Sequence, residues 1–376
     1  MRYTIPDYYK EFQCTADACE DTCCAGWQIA VDKKSMEQYK NESGPYRRKL
    51  DRVVNWQNAT FRQDKNLRCG FLNADNLCDM YANLGRGSLC RTCRLYPRHI
   101  EEFEGVREIT LSVSCPEVAG ILLRRKEPVQ FLSVERGGEE EYEEFDPFLY
   151  SQLLDARDVM LRILQNRELA VAVRVKLVLG IAHDMQNRID ARELFACQDV
   201  LGKYQTESAV RFVEKDLATT AVSARFAFAR RLFFVLEHME LLREDWYVLR
   251  REAQQRLYGE KSCGKWARMS REFTAWMQES DIPWEIQKEQ LMVYFISTYF
   301  CGAVYDGRVY GKVQLAAASV ILLEELLKAR FVRNEKALDL EDVVEIVYRY
   351  SREIEHSDLN IGRMEKLLAK NWEGKI

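Results

Sequence analysis

The chain has 376 residues, of which 47% are apolar and 30% charged, and it carries a net charge of -4. This length suits two or three domains with substantial cores, and the composition is that of a globular protein. The mild acidity gives no electrostatic case for nucleic acid, whose binders display a basic surplus.

The opening Met1-Arg2-Tyr3-Thr4-Ile5-Pro6-Asp7 lacks the apolar run of a signal peptide. The best apolar stretch, 315–323, falls far short of the roughly 18 residues needed to span a bilayer. The expectation is a cytoplasmic protein without membrane insertion.

In chain order, residues 1–130 read as a loop-rich, cysteine-rich domain. Within it, 26–32 suits a short extended piece. The alternation of apolar and polar residues over 109–115 suits a half-buried strand, and a turn at 103–106 would make it part of a hairpin. Residues 131–147 come next as an acidic linker: Glu135, Glu139, Glu140, Glu141, Glu143, Glu144 and Asp146 flank Gly137-Gly138 and precede Pro147. The run reads as solvated surface, or alternatively as a patch that attracts a lysine-bearing substrate.

Residues 148–376 read as an α-helical domain, with helices over about 148–165, 169–188, 222–257 and 313–332. Pro283 suits the first position of a helix reaching about Phe300. Leu340, Val343, Val344, Val347 and Tyr350 recur at helical spacing behind Asp339, a good N-cap. The fold class is therefore mainly α: a small irregular metal-cluster domain with little β, followed by an α-helical bundle or array.

Nine of the twelve cysteines lie in the first 115 residues: Cys14, Cys19, Cys23, Cys24, Cys69, Cys78, Cys90, Cys93 and Cys115. In a reducing compartment such crowding favours a metal site over disulfides. Closely spaced cysteines can turn thiolates toward one centre, and a distant pair can complete a four-sulfur shell. All-sulfur coordination means zinc or iron–sulfur. Only His99 lies among these residues, so a mixed Cys/His site has little support. The expected ligands are Cys19, Cys23, Cys24, Cys69, Cys78, Cys90, Cys93 and Cys115; Cys14 is set aside first. Adjacent Cys23 and Cys24 seldom reach one metal together, so one of them should face elsewhere. Nine candidates exceed the four that one centre needs, so either some are structural or there are two centres. Cys197, Cys263 and Cys301 sit in helical patterns and read as core residues.

Several ordered blocks carry a resemblance. Phe12-Gln13-Cys14, Cys19-Glu20-Asp21-Thr22-Cys23-Cys24-Ala25-Gly26-Trp27, Leu77-Cys78, the segment from Leu89-Cys90 to Tyr96-Pro97-Arg98, and Leu111-Ser112-Val113-Ser114-Cys115-Pro116-Glu117 together resemble the flagellin lysine-N-methylase family. The cysteine pattern is also similar to small zinc- or iron-chelating domains. The likeness covers about the first 120 residues, and the helical remainder matches mainly in length and character. It implies methyl transfer from S-adenosylmethionine to lysine side chains of flagellin, and a cysteine-bound centre of the [4Fe–4S] type, with zinc as the alternative. No Gly-rich dinucleotide-type turn marks a donor site.

For that chemistry Tyr81, Tyr96, Asp21 and Glu108 are candidate catalytic residues, with Asp32 a further possible base. Trp27, Arg94 and Arg98 are candidates for cofactor contact, through cation–π attraction or charge. His183-Asp184 and Glu237-His238 read as surface or internally satisfied pairs. A different class of function is also consistent with the chain: a metal-binding or redox-sensing protein whose helical domain recruits a partner.

Overall fold

The computed structural model describes residues 1–138, 140 and 142–372; Glu139 and Glu141 of the acidic run lie outside the described residues. The chain opens with strand β1 (Arg2–Pro6) and enters a stretch of short pieces. These are α1 (Lys33–Asn41), α2 (Arg47–Val53), the two-residue strands β2 (Val54–Asn55) and β3 (Thr60–Phe61), α3 (Asp79–Leu84) and α4 (Arg91–Leu95). Asp32 caps α1, its carboxylate accepting from the Ser35 amide at 3.0 Å and from the Arg91 amide at 2.7 Å. Both carboxylate oxygens are thus occupied in holding local structure, which leaves Asp32 no role as a base.

The hairpin comes next: β4 (Arg98–Phe103) and β5 (Val106–Leu111) pair antiparallel around Glu104-Gly105. Gly105 adopts φ +68°, a turn conformation that glycine enters without steric cost. Helix α5 (Pro116–Arg124) and strand β6 (Phe131–Glu135) complete this part of the chain. The hairpin belongs to a four-stranded sheet in the order β4-β5-β1-β6. In it β1 runs parallel to β5 and antiparallel to β6. The 26–32 piece forms no full strand; Ala30 makes a single bridge to Thr60.

Beyond β6 the regular structure is helical. First come α6 (Pro147–Leu164), α7 (Val171–Asp190), α8 (Cys197–Lys203), α9 (Glu207–Thr219), α10 (Val222–Glu237) and α11 (Glu244–Tyr258). Then come α12 (Cys263–Glu279), α13 (Trp284–Tyr299), the short α14 (Ala303–Asp306), α15 (Val309–Arg333), α16 (Leu340–Glu355) and α17 (Asp358–Asn371). Pro283 stands just before α13 as its N-cap residue, not as its first turn. The single helix expected over 222–257 is two, α10 and α11, because 238–243 is held open by distant side chains. The Glu240 amide donates to Asn360 Oδ1 at 2.7 Å, and the Leu242 amide to Glu353 Oε1 at 2.9 Å.

Helix α15 is the hub, apolar around most of its circumference and packed by α7, α11, α13, α16 and α17. Its buried Glu325 accepts from Tyr258, Trp266 and Lys328, so the charge it takes into the core is satisfied. Buried apolar residues fall into two cores. The larger one runs through the helices and also takes in Phe103, Val106, Leu111, Val118 and Leu122 from the hairpin and α5. The smaller one is built from residues between Ile29 and Cys90. Helix α13 ties the sheet side to the array: Gln287 donates to the Leu123 carbonyl and Gln290 to that of Glu127. Among the described residues no helix is long and apolar enough to cross a membrane.

Candidate functional site

All twelve cysteines are free thiols. Cys69 and Cys90 are buried in the smaller core, and Cys24, Cys78 and Cys93 pack against it. Single bridges fix Cys69 against Gln63 and Cys78 against Leu72, while Cys90 stands at the N-cap of α4. These thiols feel one another: Cys24 and Cys78 act on Cys69, and Cys24 and Cys69 act on Cys93. Burial pushes the Cys69 thiol up to about 12. Within the Cys90–Cys93 pair, a thiol–thiol hydrogen bond lowers Cys90 and raises Cys93. The same relation brings Cys24 down to about 7 beside Cys23, which is raised.

Cys115 belongs to the larger core, at the N-cap of α5, and burial raises it to about 11. Its thiol neighbours are Cys19 and Cys23, so Cys23 and Cys24 look toward different sets of sulfurs. Cys14 is exposed, Cys197 and Cys301 are buried core residues, and Cys263 is half-buried at the start of α12. The donor chemistry suits zinc or iron–sulfur. Among the described residues, however, no three His, Cys, Asp or Glu side chains are drawn closely enough together to hold a metal ion.

A second cluster joins the cysteine-rich stretch to α11 and α16. Arg352 Nη1 lies 2.8 Å from Asp21 Oδ2, and Arg243 Nη1 lies 2.9 Å from Asp21 Oδ1. Gly26, at φ +89°, lets the chain pass against Arg243; a Cβ there would sit 2.8 Å from its Cδ. The Trp27 ring packs 4.4 Å from His356 and 6.0 Å from Tyr96. Its indole donates to the Cys23 carbonyl at 2.7 Å. Ser114 Oγ links His356 Nε2 at 2.9 Å to the Tyr96 hydroxyl at 3.1 Å. Burial and the charges of Arg352 and Arg243 push His356 down to about 3, so its ring is neutral at physiological pH.

The fold thus brings Asp21, Trp27 and Tyr96 together, with Arg243, Arg352 and His356, which sequence reading missed. Nothing in the local spacing of those three marks them. Their polar atoms are spent on one another. Asp21 is gripped by two guanidinium groups from the helical part of the chain, so this cluster acts as a dock between the cysteine-rich stretch and the helices.

The remaining candidates scatter. Tyr81 on α3 is 52% exposed, and Arg94 on α4 is also exposed. Arg98 donates to the Tyr9 hydroxyl at 2.8 Å and lies over the Tyr9 and Phe12 rings, a packing role. His183 and His238 are exposed, and Asp184 accepts from Lys203 and Tyr204.

Glu108 is different. Buried on β5, it takes Arg157 of α6 in a two-point ion pair at 2.6 and 2.5 Å. The pair lines a cavity of about 390 Å³ between β1, β5, β6, α6 and α13. Buried Thr110 and Ser297 lie deep in it, while exposed Arg2, Ser133, Asp155 and Asp158 stand at its mouth. A larger groove of about 770 Å³ between α10 and α11 is open and arginine-rich, and none of the residues singled out for chemistry faces it apart from Glu237. Being less open, and of mixed charge, the smaller cavity is the better candidate.

A sequence model of the FliB lysine N-methylase C-terminal domain matches residues 157–374, more than half of the chain. The chain belongs to the FliB lysine N-methylase family. The match that places it in the FliB family falls on the helical array, whose kinship the cysteine blocks did not convey. It includes Arg157, Asp158 and Ser297 of the cavity, and Arg243, Arg352 and His356 of the dock.

The FliB-family chain is also similar to the flagellar biosynthetic protein FliU of Salmonella muenchen. The two are 29% identical over 129 residues, covering 32% of this chain and 76% of that protein. Lysine-N-methylases of Salmonella typhimurium (strain LT2) and Salmonella choleraesuis (strain SC-B67) are 29% identical over the same length, 32% of this chain and 32% of each relative. The match thus spans about a third of the length of those lysine-N-methylases. No solved structure matches the chain.

Proposed function

We propose that this chain is a protein-lysine N-methyltransferase that moves a methyl group from S-adenosylmethionine to lysine side chains of flagellin in the cytoplasm. The observation that carries the reading is membership of the FliB lysine N-methylase family over 157–374, the segment that supplies Arg157, Asp158, Leu161 and Ser297 of the smaller cavity. The flagellar and lysine-methylase names of the relatives support the substrate class.

In the reaction the lysine nitrogen forms a bond to the sulfonium methyl carbon, while the carbon–sulfur bond breaks and leaves its electron pair on sulfur. The attacking amine must first lose a proton held with a pKa of about 10.4. Entry into a partly desolvated mouth beside a positive sulfonium lowers that value. Asp155 stands at the mouth, where it would draw the ammonium in and pass its proton to water. Glu108, paired with Arg157, holds the floor in place.

The cysteine-rich stretch is proposed to hold a [4Fe–4S] centre, with zinc the alternative, through thiolates chosen from Cys24, Cys69, Cys78, Cys90 and Cys93. Support comes from the free thiols sharing one small core. Such a centre would cross-link three stretches of chain that have little apolar material of their own. Cys19, Cys23 and Cys115 would then serve elsewhere. The decisive test is incubation of anaerobically purified protein with methyl-labelled S-adenosylmethionine and flagellin, followed by mass mapping. Added methyl mass on flagellin lysines is the expected result; none, with the protein folded, overturns the reading.

A further inference from the structure

The cavity at the sheet edge offers more than space. Its carboxylates, Glu108, Asp155 and Asp158, outnumber its guanidinium groups, Arg2 and Arg157, by one. Glu108 and Arg157 neutralise each other, and Asp155 accepts from Gln198 Nε2 at 2.7 Å. Arg2 and Asp158 make no side-chain hydrogen bond or ion pair among the described residues. Two opposite charges therefore remain uncommitted at the mouth. Deeper in, among apolar Ile109, Phe131, Leu154 and Leu161, the Ser297 hydroxyl donates to the Val293 carbonyl and the Thr110 hydroxyl accepts from Thr298.

We infer that this cavity is the binding site of the sulfonium methyl donor, with its nucleoside end inward and its amino-acid end at Arg2 and Asp158. The inference rests on the methyltransferase reading above and adds the location of the donor. S-adenosylmethionine carries an ammonium and a sulfonium that together outweigh its carboxylate, so it is a net cation with one anionic group. A wall with a slight negative excess and one free guanidinium complements that distribution. The volume of about 390 Å³ lies within the usual range for small-molecule pockets, roughly 300–1,000 Å³. Apolar walls and Phe131 suit a flat base, and the lone pairs left on the Ser297 oxygen can accept from a ribose hydroxyl. This polarity turns the methyl group outward, past Asp155 and Asp158, toward a lysine arriving on a large protein that cannot itself enter.

The structure gives the site a chemical logic that the sequence lacks. Its members come from positions 2, 4, 108–110, 131, 133, 154–161 and 297, brought together by the parallel pairing of β1 with β5 and by the Glu108–Arg157 ion pair between β5 and α6. Strand β5 ends at Leu111, and the chain reaches Ser114 and Cys115 within four residues, so a short connection joins the cavity to the cysteine-rich dock.

The test is titration calorimetry of the full chain with S-adenosylmethionine and, separately, S-adenosylhomocysteine, which lacks the sulfonium charge. Three variants are compared with the unaltered protein: Asp158→Asn, Arg2→Gln and Ser133→Trp. Removing the Asp158 charge should weaken S-adenosylmethionine about tenfold, the scale of one partly exposed charge contact, and S-adenosylhomocysteine less. Arg2→Gln should weaken both ligands about equally. Ser133 is exposed on an edge strand, so a tryptophan there blocks the mouth without disturbing the core, and both ligands should be lost.

Unaltered affinity for S-adenosylmethionine in folded Asp158→Asn and Ser133→Trp proteins would overturn the site while leaving the methyltransferase reading standing. No donor binding by the unaltered, folded chain would overturn both. Should Asp158→Asn fail to fold, Ser133→Trp decides the question alone.

Discussion

Arg352, near the end of α16, reaches Asp21 in the cysteine-rich stretch and the chain beside it three ways. Its Nη1 lies 2.8 Å from Asp21 Oδ2, its Nη2 donates to the Asp21 carbonyl at 2.6 Å, and its Nε donates to the Ser114 carbonyl at 2.8 Å. The side chains of Arg352 and Asp21 are only 3% and 12% exposed. Breaking a buried pair from one side leaves the other charge without compensation, at a cost of about 3–5 kcal/mol. Asp21→Ala should therefore lower the free energy of unfolding by an amount near the lower end of that range, because Ser114 still receives Arg352. Arg243, which shares Asp21, keeps Asp245 at 3.0 Å. Urea denaturation reads the loss, and a change below about 1 kcal/mol would mean that the dock is only a surface contact.

The cysteines make a separate claim. If the thiolates at the small core hold a centre, Cys69→Ser and Cys90→Ser proteins purified without oxygen should lose bound iron or zinc. Cys14→Ser should keep it, because Cys14 is exposed and apart from that core. Metal analysis alongside the visible absorption spectrum separates the cases. Equal metal content in all three variants would remove these sulfurs from the ligand set. Loading should also release protons, since burial holds Cys69 and Cys78 in their thiol forms.

Glu353 sets a pH dependence. It is 2% exposed, and burial, with Asp245 nearby, pushes it up to about 8 from an ordinary 4.5 despite amides donated by Leu242 and Arg243 and the charge of Arg250. The folded chain therefore binds this proton more tightly than the unfolded chain does. The resulting stability is complete below about 4.5 and declines as pH rises toward about 8. The slope from this one group is at most about 1.4 kcal/mol per pH unit. Glu353→Gln keeps the shape and the acceptor for Leu242, so its unfolding free energy should flatten over this window and exceed that of the unaltered protein at its upper end. Parallel slopes for the two proteins would show that Glu353 is charged when folded.

How legible each feature is in the sequence depends on how much distant chain it needs. The helix behind Asp339 was legible because its cap and its apolar stripe are local. The hairpin was legible because alternation begins at 109 close to Gly105, but its second strand is Val106–Leu111, and 112–115, expected to continue it, turns instead into α5. Strands β1 and β6 were not, since each is only five residues long and β1 pairs with β5 about a hundred residues away. The break between α10 and α11 carries no glycine or proline; Asn360 and Glu353 impose it from the far end of the chain. Glu108 was picked out as a possible base, but its partner Arg157 and the cavity they share exist only once α6 meets β5 in the fold.

The local cap itself is testable. Asp339 accepts from the Asp342 amide at 2.8 Å, and the Asp342 carboxylate receives the Asp339 amide in return, which closes a capping box. Asp339→Ala should cost about 1 kcal/mol, while Asp339→Asn or Asp339→Ser should keep most of the stability. The stakes exceed one helix turn, because α16 also carries Arg349, Arg352 and, just beyond its end, His356. Thermal unfolding checks the order of the three variants; an Ala variant as stable as the Ser variant would mean that tertiary packing alone sets the start of α16.

Glu108 and Asp158 share one cavity, yet one matters for stability and the other for chemistry. Glu108 and Arg157 are each 11% exposed in their side chains and bind through two hydrogen bonds. Glu108→Gln leaves Arg157 facing a neutral amide in a buried place, which should cost about 3 kcal/mol or more in stability. Asp158 stands exposed at the mouth, so Asp158→Asn should change stability by less than about 0.5 kcal/mol. For methyl transfer the ranking reverses. Asp158→Asn should lower kcat/KM by about tenfold or more at a temperature where both proteins stay folded, whereas Glu108→Gln should follow the folded fraction alone. Because each Glu108 oxygen already accepts from Arg157, the carboxylate is placed to hold the ion pair, and its loss should leave the acid limb of the pH–rate profile in place. If that limb instead vanishes in Glu108→Gln, Glu108 is the base and the ion pair must open during turnover.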